Sequence, residues 1–270
     1  MSISRRNLLQ VTASGALLAG CSDGRPSGAA PAPAPGTSSS PSSPAPTGAP
    51  SSPPHAPAGE PATSAPPLPP GLPDQIEHGP RDRERLALTF HGQGEPALAT
   101  ALLAEAEKAG ARVTVLAVGA WLDTYPRLAR RILDGGHELG NHTQTHGDIG
   151  AMDAAAATAE IEGCARRLTE LTGSRGRWFR PSQARMATPL VVRLAREAGY
   201  PHVLSYDVDP LDYTDPGADR VRAAVAARAR AGSVVSLHFG HSGTVAALPG
   251  ILDDLHRRGL RAVTTSELLT

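Results

Sequence analysis

The chain has 270 residues, 40% of them apolar, and equal numbers of basic and acidic side chains, so its formal net charge is zero. A balanced charge gives no electrostatic footprint for nucleic acid or for an anionic membrane surface. The two cysteines, Cys21 and Cys164, are too few for a disulfide scaffold. Prolines concentrate between Pro26 and Pro80, whereas every Phe, Trp and Tyr follows residue 85. This composition predicts an N-terminal segment without a core and one globular domain over residues 81–270.

The first twenty residues have the features of an export signal. Arg5-Arg6 precedes an apolar run over residues 11–19, which is too short to span a bilayer because about 20 residues are needed. Paired arginines before such a run are typical of a twin-arginine signal, which exports folded proteins. The run ends in Leu18-Ala19-Gly20-Cys21, which resembles a bacterial lipobox with an acylated cysteine. We therefore predict a signal peptide over residues 1–20, a membrane anchor at Cys21 and a location outside the cell membrane, facing the wall.

Residues 21–80 are rich in Pro, Ser and Ala and cannot pack a core. The composition predicts an extended, disordered tether. At roughly 3 Å per residue, about 60 residues would reach on the order of 150 Å at full extension. Such a segment suits a domain held away from a membrane, but it indicates no activity.

From residue 85 onwards, short β-type runs alternate with helical patterns. Predicted strands cover residues 86–90, 113–118, 136–140, 202–206, 234–237 and 260–263, with a short extended segment at Trp178-Phe179. Predicted helices cover residues 96–109, 121–133, 152–171, 189–198, 218–230 and 245–258. This alternation predicts an α/β fold in which helices cover a parallel sheet, either a barrel or an open sheet. We favour the barrel, because polar residues follow many strands rather than lining one crevice.

Polar side chains at the ends of the predicted strands are the candidate functional residues. In a parallel α/β fold these ends converge on one face. The main candidates are His91, His142, His146, Arg180, Asp212 and His238. Five separate segments therefore deliver polar groups to one place.

His142 and His146 have the spacing of a metal-ligand pair. Four residues apart on a helical turn, two imidazoles lie on one face and can share a divalent cation. Two ligands bind weakly, so a third protein ligand is expected. The alternative is a pair of loop histidines whose nitrogens bond solvent or backbone.

These segments resemble the motifs of the NodB-type polysaccharide deacetylases, carbohydrate esterase family 4, and the resemblance covers roughly residues 85–268. The matching segments are Thr89-Phe90, residues 136–146, Phe179-Arg180-Pro181, residues 209–213 and Ser236-Leu237-His238. The resemblance implies a distorted (β/α)7 barrel and a divalent metal, with zinc the expected ion. It also implies hydrolysis of N- or O-acetyl groups on a polysaccharide.

The first motif departs from the family. The family has a catalytic-base Asp and then a metal-ligand Asp where this chain has His91 and Gly92. Glycine offers no ligand, so the usual Asp-His-His set cannot form. His91 could bind the metal as a third imidazole, or act as general base. Gln93 could ligate through its carbonyl oxygen, although an amide is a poor zinc ligand, or metal binding could be weak and catalysis lost.

The resemblance implies roles for three further residues. His238 would protonate the leaving group, and Asp212 would hold His238 protonated and oriented. Arg180 pairs with the base Asp in the family, but here it would meet His91 unless Asp207 or Asp209 approaches. The predicted function is a monomeric, metal-dependent hydrolase acting on peptidoglycan or a similar extracellular polysaccharide. The alternative is an impaired relative that binds wall glycan without turnover.

Overall fold

A computed structural model describes residues 67–270 of the chain. The predicted signal peptide, the anchor Cys21 and most of the predicted tether lie outside these residues and stay predictions. Among the residues that are described, no helix combines the length and apolar character needed to cross a membrane.

The described part of the chain alternates strands and helices as the sequence predicts. Its strands are β1 (Gln75–Ile76), β2 (Arg85–Gly92), β3 (Thr114–Ala117), β4 (Glu138–Asn141), β5 (Val203–Leu204), β6 (Val234–His238) and β7 (Arg261–Val263). Its helices are α1 (Pro96–Lys108), α2 (Gly119–Thr124), α3 (Arg127–Asp134), α4 (Ala154–Thr172), α5 (Pro189–Glu197), α6 (Ala218–Arg228), α7 (Ser242–Arg257) and α8 (Thr265–Leu269). Short 3-10 turns cover Ile149–Ala151 and Asp212–Thr214.

All of these strands pair in parallel. The main sheet has the order β4-β3-β2-β6, with β7 also pairing β2, and β1 pairs with β5. Phe179 forms single bridges to Asn141 and Val203, and Val208 bridges to Val235. These bridges continue the sheet around the molecule, although regular strands do not close it among residues 67–270. The predicted α/β fold of distorted-barrel type is confirmed.

The central strand β2 presents apolar side chains on one face of the sheet and mostly polar side chains on the other. Its residues after Arg85 are buried, as in parallel strands covered by helices. Successive side chains on a strand point to opposite faces. Leu86, Leu88 and Phe90 accordingly pack in the core that includes residues of α1 and α7, whereas Thr89 and His91 alternate with them. The strand thus places His91 on the face opposite the helical core.

Two boundaries differ from the sequence pattern. Residues 121–133 form two helices rather than one, and Pro126 precedes α3, because proline cannot donate the backbone hydrogen bond that a continuous helix needs. At the N-terminal side, β1 pairs with β5 and buries Ile76 to 1% exposure. The folded part therefore begins before residue 81, where the composition changes.

Candidate active site

A cavity of about 630 Å³ opens where several strands end. Its lining includes His91, His146, Arg185, Tyr206, Tyr213, His238 and His241. The parallel register of β2 and β6 sets His91 directly opposite His238. As a result, the two imidazole rings stack with centroids 4.2 Å apart. The predicted convergence of the strand ends is therefore observed.

Three histidines beside this cavity form a group that could bind a metal ion. His91, His142 and His146 each offer a ring nitrogen, and these nitrogens all lie within 4.8 Å of one another. His91 Nδ1 lies 2.7 Å from His142 Nε2. Two imidazole nitrogens bound to one tetrahedral zinc at about 2.0–2.1 Å are about 3.3–3.4 Å apart. A shift of under an ångström would therefore let this pair share an ion.

The second nitrogens of His142 and His91 each have an oxygen within hydrogen-bonding distance. His142 Nδ1 lies 3.0 Å from the carbonyl oxygen of Arg180, so it donates its proton there and leaves Nε2 with a lone pair. His91 Nε2 lies 2.9 Å from Ser236 Oγ. Ligating histidines characteristically donate their second N–H to an oxygen, which fixes tautomer and orientation. The residues present therefore fit a divalent metal such as zinc.

The pKa values of all three imidazoles favour the neutral, ligating form. Burial is the largest cause for each, because a low-dielectric environment penalises the charged form. The pKa of His91 lies well below its usual value, lowered further by neighbouring His142, and the pKa of His142 is likewise lowered well below its usual value. Burial also lowers the pKa of His146. The cluster therefore keeps its lone pairs at neutral pH.

His142 and His146 lie on a loop, and the predicted helical turn between them is wrong. Thr143 and His146 have positive φ angles of 68° and 63°. Such left-handed conformations cost about 1–3 kcal/mol for non-glycine residues and persist only where the surroundings enforce them. Asn141 Oδ1 accepts from Thr143 N at 2.9 Å, and Thr143 Oγ1 accepts from His146 N at 3.2 Å. Side-chain bonds, not helical geometry, therefore bring the two rings together, with centroids 4.9 Å apart.

The start of α2 also holds this loop. Gly119 N and Ala120 N donate to the carbonyl oxygens of Thr143 and Gln144, at 2.9 and 2.8 Å. Backbone N–H groups in the first turn of a helix lack partners within the helix, so they are available for such contacts. The loop thus uses donors that the helix leaves free.

His238 is held by a buried carboxylate, as the resemblance implies. Asp212 Oδ1 lies 2.7 Å from His238 Nδ1, and Asp212 Oδ2 accepts from the backbone N–H of His238 at 2.8 Å. Thr244 Oγ1 donates to the same Oδ2 at 2.7 Å. These bonds fix the ring and put the proton on Nδ1, because a carboxylate accepts it there. Nε2 of His238 remains available for proton exchange.

Several known proteins are similar to this chain in sequence or in fold. The family described as polysaccharide deacetylase matches residues 78–203. A peptidoglycan-N-acetylglucosamine deacetylase from Bacillus cereus is 33% identical over 197 residues, which cover 70% of this chain and 90% of the relative. This chain belongs to the polysaccharide deacetylase family. Membership supports the interpretation of the domain as a carbohydrate deacetylase, a hydrolase.

Two further relatives extend the comparison. A chitooligosaccharide deacetylase from a Bradyrhizobium species is 29% identical, over 54% of this chain and 73% of the relative. A crystal structure of a family 4 pseudoenzyme from Bacillus anthracis superposes with a TM-score of 0.70 and 24% identity, over 74% of this chain and 70% of that one. At that identity, the structural likeness concerns the fold alone.

Position 92 has no space for the acidic side chain that the family motif has there. A Cβ atom on Gly92 would lie 2.8 Å from Val115 Cγ1 and 3.0 Å from Ala117 Cα, both on β3. Real Cβ atoms essentially never approach another heavy atom closer than 3.0 Å. The glycine therefore belongs to the strand packing, and His91 is the neighbour that meets the other two ligand candidates. Gln93 is exposed on the cavity wall.

Arg180 meets His91 rather than a carboxylate. Its guanidinium is fully buried and donates to the carbonyl oxygens of Leu204 and Ser205, at 3.1 and 3.0 Å. Its Nη1 lies 3.4 Å from His91 Nε2. Burial lowers the pKa of Arg180 to about 9.

The two acids that could have approached Arg180 have other partners. Asp207 pairs with Arg81 at 2.7 Å and also accepts from the backbone N–H of Val234. Asp209 Oδ1 accepts from the backbone N–H of Leu211 at 2.9 Å. Among residues 67–270, the hydrogen-bond partners of the Arg180 guanidinium are therefore two carbonyl oxygens and His91, not a carboxylate.

Sequence reasoning gave no role to Ser236 or Thr244. Ser236 precedes His238 by two residues on β6, so both side chains point to one face, and this period of two could have identified Ser236. Thr244 lies on α7 and reaches Asp212 across the fold, and no local pattern marks it. His137, inside the second motif, packs against Glu107 Oε1 at 3.3 Å and takes no part in the site.

Proposed function

We propose that this chain is a metal-dependent hydrolase that removes acetyl groups from peptidoglycan or a similar extracellular glycan. The single observation that carries the proposal is the group of His91, His142 and His146, with His238 stacked 4.2 Å from His91. Three neutral imidazoles are a ligand set of catalytic zinc sites, which leave a fourth position open. Sequence similarity to deacetylases of peptidoglycan and chitooligosaccharide supports the substrate class.

The three histidines would hold the divalent ion. When bound, zinc supplies a Lewis acid that polarises a carbonyl group and activates water for amide or ester hydrolysis. His91 points Nδ1 towards His142, so it cannot act as the base through that nitrogen while it ligates. Its second nitrogen bonds Ser236 and lies against Arg180. Ligation, rather than proton transfer, is therefore the role that we assign to His91.

His238 is then the imidazole that moves protons at the reacting atoms. Asp212 fixes its Nδ1 proton and its orientation. Its Nε2 would take up a proton during attack and give it to the leaving nitrogen or oxygen. Positioned acid–base groups of this kind contribute about 10²–10⁴-fold to rate. In this scheme one imidazole covers both proton transfers, because the base Asp of the family is missing.

An aromatic side chain beside His238 suits a sugar substrate. Tyr213 lines the cavity, is 48% exposed, and lies with its ring centroid 5.1 Å from that of His238. Aromatic rings offer a flat apolar face to a sugar while keeping a polar edge wet. We assign Tyr213 the role of a wall against which the glycan ring packs.

We also propose that the domain works outside the cell as a monomeric lipoprotein. The order of paired arginines, apolar run and lipobox supports a twin-arginine signal with Cys21 as the lipid anchor. The Pro-rich segment after Cys21 would let the domain reach the wall. Labelling of cells with a radioactive fatty acid should mark the wild-type chain and not the Cys21→Ser variant.

The test of the function is acetate release by the purified full-length chain. Acetylated chitooligosaccharide and peptidoglycan are incubated with chain that has been stripped of metal by a chelator and then reloaded with zinc. We expect acetate only after reloading, and none from His238→Ala. If the zinc-bound chain releases acetate from neither of the two substrates, the proposal is overturned.

A glycan-binding protein without turnover is the second candidate. The blocked position 92 and the buried Arg180 without a carboxylate favour it, and one protein of similar fold is a pseudoenzyme. Under this alternative, binding to peptidoglycan survives both chelation and His238→Ala. Loss of binding on chelation would count against it.

A further inference from the structure

Glu160 is a buried acid that contacts the loop carrying His146. It lies on α4, is 9% exposed, and both of its carboxylate oxygens accept hydrogen bonds from Thr145. Thr145 N donates to Oε2 at 2.8 Å, and Thr145 Oγ1 donates to Oε1 at 2.6 Å. A buried charge is costly unless it is fully hydrogen-bonded. The two hydrogen bonds from Thr145 therefore offset the cost of burying the Glu160 carboxylate.

Those two bonds act on the peptide unit that leads into His146. Thr145 directly precedes His146, whose positive φ of 63° is rare for a non-glycine residue. Fixing both the N–H and the hydroxyl of Thr145 fixes the direction in which the chain enters His146. Two further hydrogen bonds hold His146 itself: its N–H donates to Thr143 Oγ1, and Gln183 Nε2 donates to its carbonyl oxygen. Glu160 adds a carboxylate to these contacts through Thr145.

We infer that Glu160 is a positioning residue for the metal centre, which it supports by holding His146 in place through Thr145. The inference rests on the proposed metal-dependent function. Glu160 contacts no reacting atom, so its effect should appear in metal affinity.

The experiment measures zinc affinity of the full-length chain by competition with a chromogenic chelator. Loss of an outer partner of a metal ligand typically weakens metal affinity about 10–100-fold. We expect that loss for Glu160→Ala. Glu160→Gln should stay within about threefold of wild type, because its amide can accept from Thr145 N and donate to Thr145 Oγ1. Glu162→Ala, an exposed position on the same helix, is the matched control and should leave affinity unchanged.

Thr145→Val is the second variant, in case Glu160→Ala does not fold. It keeps the β-branched shape and loses the hydroxyl, so affinity should fall several-fold. In both weakened variants, the visible absorption of bound cobalt should change, since the geometry at His146 is altered.

The outcomes separate the two proposals. No zinc binding by the wild-type chain overturns the proposed function and this inference together. If the wild-type chain binds zinc and Glu160→Ala binds it with the same affinity, the positioning role alone is overturned. If only Thr145→Val folds, unchanged zinc affinity in that variant has the same consequence. A loss in Glu160→Gln equal to that in Glu160→Ala would also contradict action through the hydrogen bonds.

Discussion

His91 Nδ1, at the end of β2, lies 2.7 Å from Nε2 of His142, which directly follows β4, although these two strands are two places apart in the sheet. His91, from the first motif, is therefore the third imidazole beside His142 and His146. An imidazole is neutral, whereas a carboxylate is negatively charged, so a three-histidine site should attract a cation less strongly than an Asp-His-His site. For the same reason, three histidines would neutralise less of the charge of a bound ion, which would leave that ion a stronger Lewis acid.

His91 should be required for zinc binding. His91→Ala removes one of three ligands and is expected to weaken zinc affinity by more than about 100-fold, beyond the typical loss for an outer partner. His91→Asp should weaken it too, because the shorter side chain would be drawn to the buried guanidinium of Arg180. Chelator competition measures both. Wild-type affinity in His91→Asp would show that a carboxylate serves equally well.

Restoring the family's second Asp should damage the domain. Gly92→Asp forces a side chain against Val115 and the backbone of Ala117, and overpacking of this kind costs about 1–3 kcal/mol. Urea unfolding should therefore show lower stability, without a gain in acetate release. Gly92→Ala is the control, since it has the same steric conflict at Cβ without the charge. A stable and more active Gly92→Asp would mean that β3 moves aside readily.

Asp212 should matter for catalysis and not for metal. Asp212→Asn keeps the shape but removes the carboxylate that receives the Nδ1 proton of His238. We expect kcat/KM for acetate release to fall at least about 100-fold, within the range of acid–base contributions. Zinc affinity should stay within threefold. Asp219→Asn, an exposed acid on α6, controls for the change in net charge, and an equal fall there would contradict a specific role.

The buried histidines should make the metal-free chain acid-sensitive. His91 and His142 have pKa values well below 6.5 in the folded state, whereas in the unfolded chain they titrate near 6.5. Below about pH 6.5 the unfolded chain therefore binds more protons, and the free energy of unfolding falls as the pH drops towards the folded values. Between pH 7 and 5.5 we expect a loss of roughly 1 kcal/mol for each of the two residues.

Denaturant unfolding of the metal-free chain at the two pH values measures this effect. His142→Gln removes one titrating group, so its stability should depend less on pH than that of wild type. An equal dependence in the variant would place the acid sensitivity elsewhere.

The sequence identifies most of the site because strand ends converge in a parallel sheet. The order of strands places His91, Arg180 and His238 together, and the parallel register of β2 and β6 explains the stacking of two of them. The conformation of the loop between His142 and His146 is not predictable from their spacing. It depends on contacts from Asn141, from the start of α2 and from Glu160 on α4, which come from other elements of the fold.

The boundaries of the fold also depend partly on contacts that the local sequence does not indicate. Ile76 lies in a segment with the composition of the tether, and its burial depends on pairing with the distant strand β5. Proline at 126 divides a helix at a position that the apolar pattern alone does not mark. Local chemistry thus predicts the elements and their order, whereas their exact ends depend on tertiary partners.

The most direct test of the three-histidine centre is a crystal structure of the zinc-loaded chain with anomalous scattering recorded at the zinc edge. We expect one ion within about 2.0–2.1 Å of nitrogens from His91, His142 and His146, with a fourth position facing the cavity. An ion held by His142 and His146 while His91 turns to Ser236 and Arg180, or no ion at saturating zinc, would contradict the account.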